Sequence, residues 1–325
     1  MLLDYVAEYG SIAFDEEPVN HLDLLAFSLV CNFDFPPESI GTSLPEALRN
    51  ARLPMVHQAR GDKFVPAHPD RNDMDLSDAI SKSSRYREVR VCGFEKRYEE
   101  RVRQFAGLAL MIDDVLVVTY RGTDNTFTGW RATLKLSFDE ARPSHQDAAE
   151  FLARCAERTD GPIVVCGHSK GGNLAMYAAA SCDDAQAMRI AQVIGFDAPG
   201  LPSSVRASTN FERISPTAMN FIPRSSVVGT VHRMAKDDPL TKAPYPYLRF
   251  IKSRGILLQQ HYPYSWLTSD DDFVYSVQSI AGKALEKGLG LVIAKISDNG
   301  KNRIIDGVFD VLERSGRATF DEMLR

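Results

Sequence analysis

Nothing in this chain points to a metal centre, a disulfide scaffold or a membrane span. Its five cysteines (Cys31, Cys92, Cys155, Cys166 and Cys182) are widely spaced and form no C-x-x-C pair. That excludes the usual zinc and disulfide patterns, and a reducing cytoplasmic setting is the expected one. No cofactor is expected either, and nucleotide binding is disfavoured because neither G-x-x-x-x-G-K-[ST] nor G-x-G-x-x-G occurs. A surplus of positive charge is also missing: 38 Lys and Arg against 43 Asp and Glu leave a net charge of −5. This gives no electrostatic reason to expect a nucleic-acid partner. No apolar run reaches the length of about 18 residues that a spanning helix needs. The best, Ala109 to Tyr120, is broken by Asp113-Asp114. Asp4 and Glu8 stand where a signal peptide would need a basic start and an apolar core, so export by the general route is not expected. No internal repeat or low-complexity tract is visible.

What is present is an ordinary globular composition, with 44% hydrophobic and 25% charged residues over 325 positions. A chain of that length suits one α/β domain, or one domain with an added cap. Residues 1–85 read as a helical, cap-like N-terminal region packed on the core. Residues 86–325 read as the core with two C-terminal helices. In the first part, His21 to Val30 reads as an amphipathic helix capped by Asn20, with Leu24, Leu25 and Leu29 on one face. Leu44 to Arg52 reads as a second helix after Thr42 or Ser43, and Pro54 to Asp75 as loop. From Arg87 the period changes. Arg87 to Phe94 alternates as a strand does, and Ala106 to Ile112 and Val115 to Tyr120 flank Asp113-Asp114 as a hairpin. Ser144 to Arg158 reads as a helix with a Ser144-x-x-Asp147 capping box. Further strands are expected at Gln192 to Phe196, Ala218 to Ile222 and Gly255 to Gln259. Amphipathic helices are expected at Asp272 to Ile296 and Arg303 to Glu313, packed on the sheet. Strands alternating with helices predict a mostly parallel sheet covered on both faces.

One stretch organises the rest: Gly161-Pro-Ile-Val-Val-Cys-Gly-His-Ser-Lys-Gly-Gly172. A β-branched run leads through Gly167-His168-Ser169-Lys170-Gly171 into the helix former-rich Asn173 to Ala180. A strand, G-x-S-x-G and a helix in that order make a nucleophile elbow. The serine is lifted on a strained turn, and strand and helix crowd so closely around it that the residues two before and two after lack side chains.

A serine hydroxyl needs a base, and the base needs an acid to orient it. In the elbow folds the order is serine, acid, histidine, which leaves His232 and His261. His261 is favoured because it lies beyond an expected strand, at the edge where such sheets gather catalytic groups. His168 adjoins the serine as a packing residue. The acid is more open. Asp197 closes a strand before the turn Ala198-Pro-Gly200, on the required edge, while Asp237 or Asp238 remains an alternative. The backbone N–H of Lys170 is one donor for a developing oxyanion. Gly122 and Thr123, in Tyr120-Arg-Gly-Thr-Asp124, stand where an early strand would supply another.

These motifs together resemble the class 3 (fungal-type) triacylglycerol lipases. The longer forms Arg121-Gly-Thr-Asp-Asn-Thr-Phe-Thr-Gly-Trp130, Gly167-His-Ser-Lys-Gly-Gly-Asn-Leu-Ala175, Phe196-Asp-Ala-Pro-Gly200 and Gln260-His-Tyr-Pro-Tyr-Ser-Trp266 are more similar to a bacterial branch of that superfamily. The resemblance runs from about Phe14 to Phe273. It implies the α/β-hydrolase fold, Ser169 as nucleophile, Thr123 as an oxyanion donor and His261 as base. The lipases carry their acid in an Asp-x-Val-Pro segment, and the matching Pro223-Arg-Ser-Ser-Val-Val228 has no carboxylate. Either Asp197 takes that role from one strand earlier, or the set is incomplete and the chain is a binding protein on a hydrolase scaffold. The expected function is hydrolysis of a carboxylic, lipid-like ester.

Overall fold

The computed structural model describes residues 1–53, 55–57, 64–66, 71–99, 102–124, 127–136, 143–230, 248–293, 295–296 and 298–314. A short antiparallel pair, β1 (Met55–His57) and β2 (Phe64–Pro66), stands apart from the main sheet. That sheet has seven strands: β3 (Arg90–Glu99), β4 (Arg103–Ile112), β5 (Val115–Tyr120), β6 (Ile163–His168), β7 (Ile190–Phe196), β8 (Ala218–Pro223) and β9 (Leu248–Ile251). They lie in sequence order, with β3, β4 and β5 antiparallel and β5 to β9 parallel. With helices on both faces, this is the α/β-hydrolase arrangement.

The hairpin β4–β5 closes at Asp113-Asp114, where Ile112 pairs with Val115 and Asp113 takes a left-handed φ of 52°. Aspartate tolerates that conformation better than a bulky residue would. The central strands are apolar on both sides. In β5, Val117 faces one layer while Leu116, Val118 and Tyr120 face the other. A strand buried on both faces has no polar side to show, which is why these segments read as unbroken apolar runs.

One layer is N-terminal: α1 (Leu2–Tyr9), α2 (His21–Val30), α3 (Leu44–Asn50) and α4 (Arg71–Lys82) share a core with Val117, Cys166, Ile194, Phe196 and Phe221 of the sheet. The other layer is α6 (Pro143–Ala156) and α7 (Lys170–Ala180), packed on Phe105, Ala109, Val118 and Val165. Helix α5 (Phe127–Lys135) follows the loop after β5, and the C-terminal helix Asp298–Glu313 lies against it. Among the described residues, no helix is long and apolar enough to cross a membrane.

Several expectations need correction. Asn20 does cap α2, accepting from the N–H of Leu22 and Asp23, but the helix is not amphipathic: every residue after His21 is buried. It is wedged between the sheet and the other N-terminal helices. The stretch expected as loop holds β1, β2 and the start of α4 at Arg71. Ser144 lies inside α6 and donates to the Gln104 carbonyl instead of forming a capping box. Residues 255–259 are not a strand. The seventh strand is Leu248–Ile251, and Leu257–His261 is a 3₁₀ turn. Gly255 adopts φ 78°, and the Gln259 side chain accepts the Ile256 N–H, so this apolar sequence coils. The penultimate helix starts at Ile280, behind the two-residue strands Thr268–Ser269 and Asp272–Phe273. The last helix packs on α5.

Candidate active site

The chain leaves β6 at His168, turns at Ser169 and enters α7 at Lys170 without an intervening loop. Ser169 holds φ 56° and ψ −125°, a strained conformation for a residue with a side chain. Its N–H donates to the Phe196 carbonyl at 2.9 Å, tying the turn to β7. The glycine spacing has a measurable cause. A Cβ on Gly167 would lie 2.3 Å from the Gly171 carbonyl carbon, and one on Gly171 would lie 2.0 Å from the Tyr120 oxygen. Neither gap admits even a methyl group.

The serine hydroxyl has a partner. Ser169 Oγ lies 2.9 Å from His261 Nε2, and His261 Nδ1 lies 2.7 Å from Asp197 Oδ2. The three residues come from the ends of β6 and β7 and from the 3₁₀ turn beyond β9. Asp197 is fully buried, with φ 50°, directly after β7. Its Oδ2 also accepts from Ser226 Oγ at 2.5 Å, and its Oδ1 accepts from the Gly229 N–H at 3.0 Å. Ser226 lies in residues 223–228, the segment matched to the one in which the lipase pattern carries its acid, and Gly229 follows it directly. Here that segment supplies donors to a carboxylate one strand away. The alternatives His232, Asp237 and Asp238 lie outside the described residues.

The turn carrying Asp197 is pinned from two sides. Asn220 of β8 exchanges two hydrogen bonds with the Ala198 backbone. Asn173 of α7 donates to the Gly200 carbonyl at 2.8 Å and pairs with the buried His145 of α6 at 2.8 Å. The histidine is held as firmly. His168 Nε2 donates to the His261 carbonyl at 3.0 Å, and Trp266 Nε1 donates to Gln260 O at 2.8 Å. From the N-terminal layer, Asp73 of α4 accepts from Tyr264 Oη at 2.6 Å.

The loop after β5 lies against the serine. A Cβ on Gly122 would approach Ser169 Cβ to 3.8 Å. Thr123 Oγ1 and Thr133 Oγ1 are 2.6 Å apart. Thr133 already donates to the Gly129 carbonyl, so Thr123 is the donor in that pair and its hydroxyl proton is engaged with α5.

Sequence reasoning used only the backbone of Lys170 and overlooked its side chain. That side chain is wholly buried, its Nζ donates to the Gln104 carbonyl at 2.7 Å, and burial pushes its pKa down to about 7. A lysine inside an apolar-looking elbow was the available signal. Ser226 had none, because a serine in a polar loop looks like any other.

Across known families, residues 80–310 match the Mbeg1-like family. The chain belongs to that family. Solved structures similar to this Mbeg1-like chain include lipase II from Rhizopus niveus, with 14% identity, 51% of this chain and 68% of that chain covered, and a TM-score of 0.38. The Rhizomucor miehei lipase propeptide complex has 12% identity, 65% and 67% coverage and a TM-score of 0.39. M37 lipase has 14% identity, 84% and 80% coverage and a TM-score of 0.41. No curated protein matches the chain significantly.

Proposed function

We propose that this Mbeg1-like chain is a serine hydrolase that cleaves a carboxylic, lipid-like ester through an acyl-enzyme. The observation that carries the reading is the unbroken chain of contacts from Ser169 Oγ to His261 to Asp197, set on a strained strand-to-helix turn.

In this reading Asp197 accepts Nδ1–H of His261, which leaves Nε2 free to take the serine proton. Ser169 Oγ attacks the ester carbonyl as its proton moves to His261. The oxyanion is met by the N–H of Lys170, at the start of α7, and by the N–H of Thr123. His261 then gives its proton to the departing alcohol, and water repeats the sequence on the acyl-serine. The buried Asp197 stabilises the imidazolium formed at each step.

A fluorophosphonate probe tests this without knowledge of the substrate. It should give a single adduct, on Ser169, and Ser169→Ala should abolish it. Turnover of short p-nitrophenyl esters should fall by about 10⁴-fold or more in that variant. A folded wild-type protein that neither labels nor turns over such esters would favour a binding protein on the same scaffold.

A further inference from the structure

A lysine side chain with no exposed surface sits directly after the serine, and stability does not explain it. An apolar side chain of similar length would fill the space without the desolvation of an ammonium. Its partners say more. Nζ donates to the carbonyl of Gln104 at the start of β4, which also takes the Ser144 hydroxyl at 3.4 Å. The Gln104 side chain reaches on to the Gly122 carbonyl at 3.5 Å, and the Arg121 N–H donates to Ala106 of the same strand. The buried Asp124 carboxylate attracts the ammonium, and the Arg121 guanidinium opposes it. Arg121 is turned away, donating to the carbonyls of Cys31 and Phe33 and to Asp34. On α6, Asp147 is taken up by Arg97 and Arg103, and His145 by Asn173. The field at Nζ is therefore set chiefly by Asp124 and Arg121.

We infer that the Lys170 ammonium is a positioning residue: it ties the serine turn to β4 and to the Arg121–Asp124 loop, fixing the spacing between the N–H groups of Lys170 and Thr123. The inference rests on the hydrolase reading above. The two donors come from different elements, α7 and the loop after β5, and the β5–β6 ladder that joins those elements ends at the Tyr120–Gly167 pair, before either donor. Oxyanion donors act within a window of a few tenths of an ångström, and a misplacement of about 1 Å costs up to about 100-fold. Beyond the Tyr120–Gly167 pair, the Lys170 side chain adds a tie through the Gln104 carbonyl, and the Gln104 side chain carries it on to Gly122.

The test compares wild type with Lys170→Met and Asp124→Asn, following kcat, KM, the pH profile and the melting temperature. Lys170→Met should lower kcat by roughly 10- to 100-fold with KM nearly unchanged. Wild-type kcat should fall as pH rises through about 7, where Lys170 gives up its proton. That limb should vanish in Lys170→Met. In Asp124→Asn it should move to lower pH, because the attraction holding the proton is gone. The melting temperature separates positioning from mere support. The folded state holds this proton less tightly than the unfolded chain, so wild-type stability is lowest below about pH 7 and rises toward the ordinary lysine range. Relative to wild type, Lys170→Met should thus melt higher at pH 6 than at pH 9 while being the slower enzyme at pH 6. Active wild type with unchanged kcat and an unmoved limb in both variants would overturn this inference alone. Wild type that takes up no fluorophosphonate would overturn it together with the hydrolase reading.

Discussion

At the scale of single residues, the most informative group is the carboxylate of Asp197. It has no exposed surface and meets three donors: His261 Nδ1, the Ser226 hydroxyl and the Gly229 N–H. A carboxylate held by three donors cannot rotate, which an orienting acid requires. Gly229 has its own reason to lack a side chain, since a Cβ there would sit 2.2 Å from Asp197 Oδ1. We expect Asp197→Asn to keep the fold and lower kcat by up to about 10⁴-fold, because an amide can hold the wrong imidazole tautomer. Ser226→Ala should act more mildly. It removes one charge-assisted hydrogen bond, about 1.5–3 kcal/mol of stability, yet leaves the histidine contact in place. Ester-hydrolysis kinetics together with urea unfolding would show the two effects apart. A Ser226→Ala variant as inactive as Asp197→Asn would mean that the hydroxyl, and not the carboxylate, orients the ring.

At the scale of elements, the stretches that the sequence revealed are those whose local pattern and tertiary setting agree. The β4–β5 hairpin, the β6–Ser169–α7 unit and the Asn20 cap of α2 could be read because each rests on short-range sterics or hydrogen bonding. Asp197 could be placed because it closes a strand of unambiguous pattern. The face of α2 could not be read, because the packing that buries its polar side lies far along the chain. Asp23, on that side, receives a bidentate pair from Arg85 Nε and Nη2 at 3.0 and 2.6 Å and a hydroxyl from Tyr86 at 2.9 Å. Both members of the ion pair are fully buried. Arg85 also donates to the carbonyls of Ile12, Glu17 and Pro18, closing the loop between α1 and α2. In full burial and beside the Asp23 carboxylate, the Tyr86 hydroxyl is held protonated well above its usual range. Removing one partner strands the other in the core, so Arg85→Leu or Asp23→Asn should cost about 3–5 kcal/mol by denaturant unfolding. The Leu257–His261 turn was misread for the complementary reason. Its residues suit a strand, and only the left-handed Gly255 and the bond between Gln259 and Ile256 decide otherwise.

At the scale of the whole molecule, the site depends on both layers at once. The serine rests on α7 in one layer, while the histidine turn is braced through Tyr264 by Asp73 of α4 in the other. Asp73 in turn accepts from Asn32, just after α2, at 3.1 Å. Residues 1–85 would on this view fold with 86–325 as one cooperative unit, and the cysteines offer a way to measure it. Burial raises the thiols of Cys31, Cys155 and Cys182 to about 12 and that of Cys166 to about 11, which leaves almost no reactive thiolate in the folded state. Cys31 and Cys166 lie in the N-terminal layer's core, and Cys155 and Cys182 in the opposite one. Cys92, half-buried on β3, is the thiol that should react in the native protein. The other four should label only through unfolding, at rates that respond together to added urea. If the N-terminal layer opens by itself, Cys31 and Cys166 will be modified at urea concentrations that leave Cys155 and Cys182 protected. In that case the proposed ester hydrolysis should disappear with the first pair, since the brace on His261 leaves with α4.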